Sequence, residues 1–219
     1  MGYYPVFIEM KGRPAVVIGG GNEATKKVEG LLKAEADVTV ISPDLTPTLQ
    51  QWLAEGRIRH VQREWRYGDL EPFELCIVAT DDGAVNAEVA REGRDRKVWV
   101  NAADDTKNCD FILPAVVRRG NVVLAASTGG GSPALARRLR EELEVYLDQD
   151  DFPALLDLLA EVRNDLRSRG IRPDTETWQY AIDGPFRALV AQRKYGQAKA
   201  RLLRRLGVPL EMVGVEAEA

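Results

Sequence analysis

Three consecutive glycines, Gly19-Gly20-Gly21, followed by Asn22, Glu23 and Ala24, fit the pattern G-x-G-x-x-A. The run falls between a short apolar stretch, Pro14 to Ile18, and a segment in which Ala24, Val28, Leu31 and Leu32 recur on one helical face. In that setting each position has a mechanical task. Gly19 permits a tight turn, Gly21 lets a pyrophosphate approach the backbone, and Ala24 lets helix and strand pack closely. Asn22 and Glu23 open the helix, whose first unpaired N–H groups form a ready phosphate site. The expected chemistry is dinucleotide binding. The bland alternative is a glycine-rich strand-to-helix turn that holds nothing.

The acid that would hold the ribose hydroxyls belongs near the end of the second strand, where the sequence has Ser42-Pro43-Asp44. Asp44, after Pro43, either takes that task from the loop or only initiates a turn. No Arg stands ready for a 2′-phosphate, so NAD is favoured over NADP. Thr80, Asp81 and Asp82 follow an apolar run, Leu75 to Ala79, at the end where open α/β sheets bind ligands. Thr80 is a candidate contact for the nicotinamide ribose, and Asp81 or Asp82 suits a helix cap at least as well. The run Ser127-Thr128-Gly129-Gly130-Gly131-Ser132 carries hydroxyls and N–H groups in front of a helix, an anion site for carboxylates. Arg118, Arg119, Arg137, Arg138 and Arg140 either add charge-assisted contacts there or form a solvated face paired with Glu141 and Glu142.

Other chemistries are excluded by what the chain lacks. Cys76, Cys109 and His60 are its only Cys and His, which cannot supply a zinc framework or a disulfide scaffold. No metal ligand set is expected, and nothing near His60 suggests a nucleophile. Cys76 reads as inert core, whereas Cys109 leaves a metal or redox role open. Thirty Lys and Arg against 34 Asp and Glu give a net charge of −4, which argues against a generic nucleic-acid binder. No apolar run approaches the ~20 residues needed to span a bilayer. The N-terminus lacks a signal-peptide pattern, so a soluble, cytoplasmic protein is expected.

The elements that must position these residues alternate. Strands are expected at 14–18, 38–41, 57–61, 75–79 and 97–100, with helices between them, including 49–54 and 84–92. Such alternation favours a parallel, Rossmann-like α/β sheet with right-handed crossovers. Beyond residue ~110 the pattern changes. Apolar runs at 111–117 and 122–126 flank Arg118-Arg119-Gly120-Asn121, a hairpin signal. Ser132-Pro133 opens a helix bearing Leu135, Leu139, Leu143 and Tyr146. Residues 151–206 read as helical, punctuated at Gly170 to Pro173 and at Gly184-Pro185, and the tail after Gly207 is expected to fray.

Over at least residues 1–147 the chain resembles a known family. The residues that carry the likeness are Tyr4-Pro5-Val6-Phe7, the glycine loop with Lys26-Lys27-Val28, Ala79-Thr80-Asp81-Asp82 with Val85-Asn86, and Asn101-Ala102-Ala103-Asp104. Phe111-Ile112-Leu113-Pro114 and the run Ser127 to Ala136 complete the set. In this order it looks like the precorrin-2 dehydrogenases of siroheme biosynthesis. The resemblance implies NAD-dependent oxidation of precorrin-2 to sirohydrochlorin, in some members followed by insertion of Fe2+, here in a stand-alone form. It implies a homodimer whose middle and helical segments interlock around the cleft, and a division into 1–112 (NAD-binding), 113–147 (dimerisation and substrate cleft) and 148–219 (helical). Asp104 aligns with the family's acidic active-site residue, a general base for the proton that leaves as hydride goes to nicotinamide. Alternatively, Asp104 caps a backbone N–H in a turn-rich loop. Ser127, Thr128, Gly129 and Gly130 are the expected substrate-binding positions. A competing class is the nucleotide-sensing module of potassium-uptake systems, which would not require the Ser-Pro-initiated helix after a Thr-Gly-Gly-Gly loop.

Overall fold

Alternate residues of the central strands face two different cores, because helices cover both sides of the sheet. The computed structural model describes residues 2–102 and 106–210. Five strands, β1 (Pro14–Ile18), β2 (Asp37–Ile41), β3 (Arg59–Val61), β4 (Leu75–Val78) and β5 (Trp99–Ala102), form one parallel sheet in the order β3-β2-β1-β4-β5. Val17 pairs in register with Val40 and Ile77. Val17, Val38, Val40 and Ile77 pack with Ala24, Val28 and Leu31 of helix α1 (Asn22–Lys33) and Leu49 of α2 (Pro47–Ala54). Val16, Ile18, Cys76, Val78 and Val100 face the other way, onto Val89 and Ala90 of α3 (Gly83–Arg96). Strand order reverses at β1, so the carboxyl ends of β1 and β4 flank the crevice where sheets of this type take ligands.

The chain divides into two compact units, residues 1–113 with 129–131 and residues 114–128 with 132–219. In the second, β6 (Ala115–Arg119) and β7 (Val122–Ala126) form an antiparallel hairpin through Gly120-Asn121, Gly120 lying at φ +54°. Helices α4 (Pro133–Leu147), α5 (Phe152–Ser168), α6 (Thr175–Ala181), α7 (Gly184–Ala191) and α8 (Tyr195–Arg205) follow. Leu155, Val162, Leu166, Phe186, Val190, Leu202 and Leu203 make a shared core for α5, α7 and α8. The strand expected from Phe111 begins only at Ala115. The Phe111 carbonyl instead accepts from Asn101 Nδ2 at 2.8 Å, and its ring packs on the first unit's core. The helical region expected over 151–206, punctuated at Gly170 to Pro173 and at Gly184-Pro185, is four helices, and the breaks before α6 and α7 fall at those two places. Asp151, Asp174 and Asp183 cap α5, α6 and α7 through their carboxylates, and α8 starts without a side-chain cap. The tail expected to fray lies, from residue 211 onward, outside the described residues. Among the described residues no helix is long and apolar enough to cross a membrane.

Asp183 ties α7 to α8. Its Oδ1 accepts from the Phe186 N–H at 2.9 Å and from Arg201 Nε of α8 at 2.9 Å, and Arg205 lies 3.5 Å away. The Arg201 guanidinium holds the Asp183 carboxyl down at about 2, with the cap bond from Phe186 assisting. A depressed carboxylate stabilises the fold above its unfolded value and loses that stabilisation as pH falls through the folded one. Acid destabilisation from this group therefore falls between the unfolded carboxyl value of 3.8 and a pH of about 2. Asp183→Ala should lower stability by about 1–2 kcal/mol at neutral pH, the usual cost of a lost cap. It should also flatten the loss of stability below pH 4 in a series of thermal melts. An unchanged acid limb would contradict this assignment.

Candidate dinucleotide and catalytic site

The glycine loop is held by the loop that follows β2. Gly19 lies at φ +111°, and a Cβ there would sit 2.5 Å from the Ala79 carbonyl oxygen at the end of β4. Gly20 is more crowded still: a Cβ would stand 1.9 Å from the Asp44 carbonyl oxygen and 2.4 Å from Ser42 Oγ. Ser42 Oγ donates to that Asp44 carbonyl at 2.5 Å, and the Thr46 N–H donates to the Gly20 carbonyl at 3.0 Å. The hydroxyls of Thr25 and Thr46 share a 2.8 Å hydrogen bond, and His60 Nε2 lies 2.9 Å from the Ser42 carbonyl. Gly20, Thr46 and His60 thus brace the loop. The sequence pattern treats Gly20 as the free x of G-x-G, and its only signal was the run of three glycines. Gly20→Ala should cost about 3 kcal/mol, the upper range for forcing atoms into a filled space. A urea midpoint unchanged from wild type would contradict the crowding.

Gly21 is the opposite case. Its backbone is extended, at φ −83° and ψ −168°, and a Cβ there would meet nothing within 4 Å. It stands at the N-cap of α1, whose start has no side-chain cap. The other helices of the unit are capped, α2 by Thr46 and α3 by Asp82. An extended glycine with open space above it, in front of an uncapped helix start, suits a phosphate group. Asn22 and Glu23 are exposed in the first turn, and the Lys26 ammonium, 2.5 Å from Glu23, holds that carboxyl below its usual range.

Pro43 and Asp44 are exposed at the carboxyl end of β2, with the Asp44 backbone pinned against Gly20. Thr80, half-buried after β4, has its methyl 3.7 Å from the position of a Gly19 Cβ, and its hydroxyl accepts from the Asp82 N–H at 3.0 Å. Asp82 accepts from Ala84 and Val85 N–H at 2.9 and 3.2 Å, so it is the helix cap. The structure therefore brings Gly19, Gly21, Asn22, Glu23, Pro43, Asp44 and Thr80 to one edge of the sheet.

Asp104 lies outside the described residues, two positions beyond the end of β5. Its flank is well defined. The Ala102 N–H donates to Cys109 Sγ at 3.2 Å, the Cys109 thiol donates to the Ala102 carbonyl at 3.1 Å, and Asp110 accepts from the Val100 N–H at 2.9 Å. Cys109 thereby fastens the returning chain to β5. Burial pushes the Cys76 thiol far up, which leaves it inert. Among the described residues no cluster of three His, Cys, Asp or Glu side chains could hold a metal ion.

The Thr128 hydroxyl donates to the Ser132 carbonyl and accepts from the Ser132 N–H, both at 3.1 Å. Gly129 and Gly130 turn through φ +62° and +83°, and Ser132 caps α4 through the Leu135 N–H. Arg137, Arg138 and Arg140 pair at i,i+4 with Glu141, Glu142 and Glu144, so that cluster is a paired helix face.

The sheet order and the uncapped glycine loop at the switch point define a dinucleotide-binding α/β protein. A family model described as putative NAD(P)-binding matches residues 6–115. The siroheme synthase of Photobacterium profundum is 38% identical over 209 residues, covering 93% of this chain and 44% of that protein. Siroheme synthase 1 of Serratia proteamaculans is 38% identical over 208 residues, with coverages of 92% and 43%. The chain thus spans less than half the length of these two relatives. The solved structure of SirC, a precorrin-2 dehydrogenase, is 30% identical, with a TM-score of 0.74 over 91% of this chain and all of SirC. The chain belongs to the precorrin-2 dehydrogenase family.

Proposed function

We propose that the protein oxidises precorrin-2 to sirohydrochlorin with NAD as the hydride acceptor, in the cytoplasm. The observation that carries this reading is the likeness to SirC along that protein's whole length, joined to a glycine loop whose geometry suits a pyrophosphate. When bound, the nicotinamide accepts a hydride from the substrate, and one proton must leave with it. The chain supplies everything else. Backbone N–H groups at Gly21, Asn22 and Glu23 bind the pyrophosphate, helped by the positive end of α1. Gly19 keeps that backbone close to β4, Pro43 and Asp44 serve the adenosine ribose, and Thr80 serves the nicotinamide ribose. Asp104 takes the leaving proton as general base. Ser127, Thr128, Gly129 and Gly130, in front of α4, bind substrate carboxylates.

The reading divides the chain functionally into 1–112 for NAD, 113–147 for dimerisation and substrate, and 148–219 as a helical region. A homodimer is supported by the hairpin and α4. Two strands alone are a marginal sheet, and Val116, Leu135, Val145 and Tyr146 are exposed there at 41, 51, 64 and 44%. Sedimentation at micromolar concentration should give twice the chain mass. Insertion of Fe2+ into sirohydrochlorin is a further activity of this reading and rests on Asp104 and family likeness. The test is anaerobic incubation with precorrin-2 and either NAD or NADP, followed by Fe2+. Sirohydrochlorin formation should be faster with NAD, and absence of turnover with both cofactors would overturn the reading.

A further inference from the structure

We infer that a groove in the helical region between α5 and α6 binds a planar polycarboxylate of tetrapyrrole type, separately from the dehydrogenase site. The groove has a volume of about 730 Å³. Leu159, Ile171 and Trp178 give it an apolar, partly aromatic floor, and Arg163, Arg167 and Arg172 line its rim. All three arginines are exposed, and among the described residues none has an ion-pair or hydrogen-bond partner. Arg163 and Arg167 stand at i,i+4 on one face of α5, where like charges repel. The contrast with α4 is direct, since there Arg137, Arg138 and Arg140 each have a Glu four residues on.

Three carboxylates of the same stretch are engaged elsewhere. Glu161 pairs with Lys199 at 2.6 Å, Asp165 with Arg169 at 2.9 Å, and Asp174 accepts the Thr177 N–H that starts α6. Three unpaired guanidinium groups around an aromatic and aliphatic floor are complementary to a ligand with a flat apolar face and carboxylates at its rim. A flat ring contributes area over Trp178, and the forked guanidinium donors match carboxylates in pairs. A tetrapyrrole with acetate and propionate arms has that chemistry. Its identity rests on the proposed dehydrogenase reading; the anionic, planar character rests on the groove alone. Such a site would hold substrate or product near the enzyme between steps.

The test uses the full chain and uroporphyrin, an air-stable polycarboxylate porphyrin, with its neutral methyl ester as control. Uroporphyrin should quench tryptophan fluorescence, and the quench should shrink in Trp178→Phe. The triple variant Arg163→Gln, Arg167→Gln, Arg172→Gln should need about tenfold more porphyrin for half-saturation, a modest allowance for three lost charge-assisted contacts. Arg172→Gln alone, a loop change that leaves α5 intact, should show a smaller loss in the same direction. Precorrin-2 turnover should be the same in wild type and triple variant. Titration curves that coincide for wild type and triple variant would overturn the inference. Equal quenching by the neutral ester would overturn it too, as would a triple variant that changes the association state and so marks the groove as a contact between copies. Porphyrin binding lost in the triple variant, in a protein that does not turn over precorrin-2, would support the groove and count against the dehydrogenase.

Discussion

Gly21→Asp is expected to abolish NAD binding while leaving the protein as stable as wild type. The backbone at Gly21 is extended, which any residue adopts, and a Cβ there meets nothing within 4 Å. Aspartate is a preferred N-cap residue, and α1 lacks a side-chain cap, so the substitution should change stability by only a few tenths of a kcal/mol, about the usual Gly-to-Asp difference. Its carboxylate would occupy the place and the N–H donors that a pyrophosphate requires. Two unit charges about 4 Å apart at an effective dielectric of about 20 repel by about 4 kcal/mol, roughly a 1,000-fold loss of affinity. Calorimetric titration with NAD beside a thermal melt measures both sides. Retained NAD affinity would remove the glycine loop from the cofactor site. The neighbouring Gly20→Ala should behave in the reverse order, losing stability first, because the obstacle there is the Asp44 backbone.

Asp104→Ala should slow precorrin-2 oxidation by about 100- to 10,000-fold, the span that general-base catalysis contributes. NAD affinity should stay within about twofold, since the pyrophosphate and ribose positions lie on other loops. Asp104→Asn keeps the size and the hydrogen-bonding capacity of the side chain but cannot take a proton, so it should be as slow as Asp104→Ala. A fast Asn variant would show that Asp104 positions the loop and another group accepts the proton. The measurement is initial rate at saturating NAD, with KM and kcat separated. A base acting only in the transition state should lower kcat and leave KM near wild type.

Much of the first unit could be read from the chain because its signals are local. Buried parallel strands show as unbroken apolar runs, and Gly19, Gly21 and Ala24 sit at fixed offsets around a strand-to-helix turn. Gly20 could not be read in this way. Its constraint comes from Asp44, 24 positions away, and exists only once β2 lies beside β1. The same tie explains the displaced acid: Ser42, bonded to the Asp44 carbonyl, curls the loop over the glycines instead of ending β2 with a carboxylate. Cys109 left a metal or redox role open in the sequence, yet its sulfur is spent on the Ala102 backbone, a contact that depends on the chain doubling back along β5. In the helical region Gly170 to Pro173 and Gly184-Pro185 mark the breaks before α6 and α7, whereas α8 follows Arg193 at φ +59° and has no side-chain cap, so its start carries no such signal. The arginines of α4 and α5 are separable in the sequence itself, since those of α4 have a Glu at i+4 and Arg163 and Arg167 of α5 do not.

The most direct test of the central claim is the stoichiometry of NADH to sirohydrochlorin, followed together under strict exclusion of oxygen after precorrin-2 and NAD are added to the purified protein. The expected result is one NADH for each sirohydrochlorin, with formation of both lost in Gly21→Asp. Sirohydrochlorin appearing without NADH, or at the same rate in Gly21→Asp, would contradict hydride transfer to a cofactor held by the glycine loop.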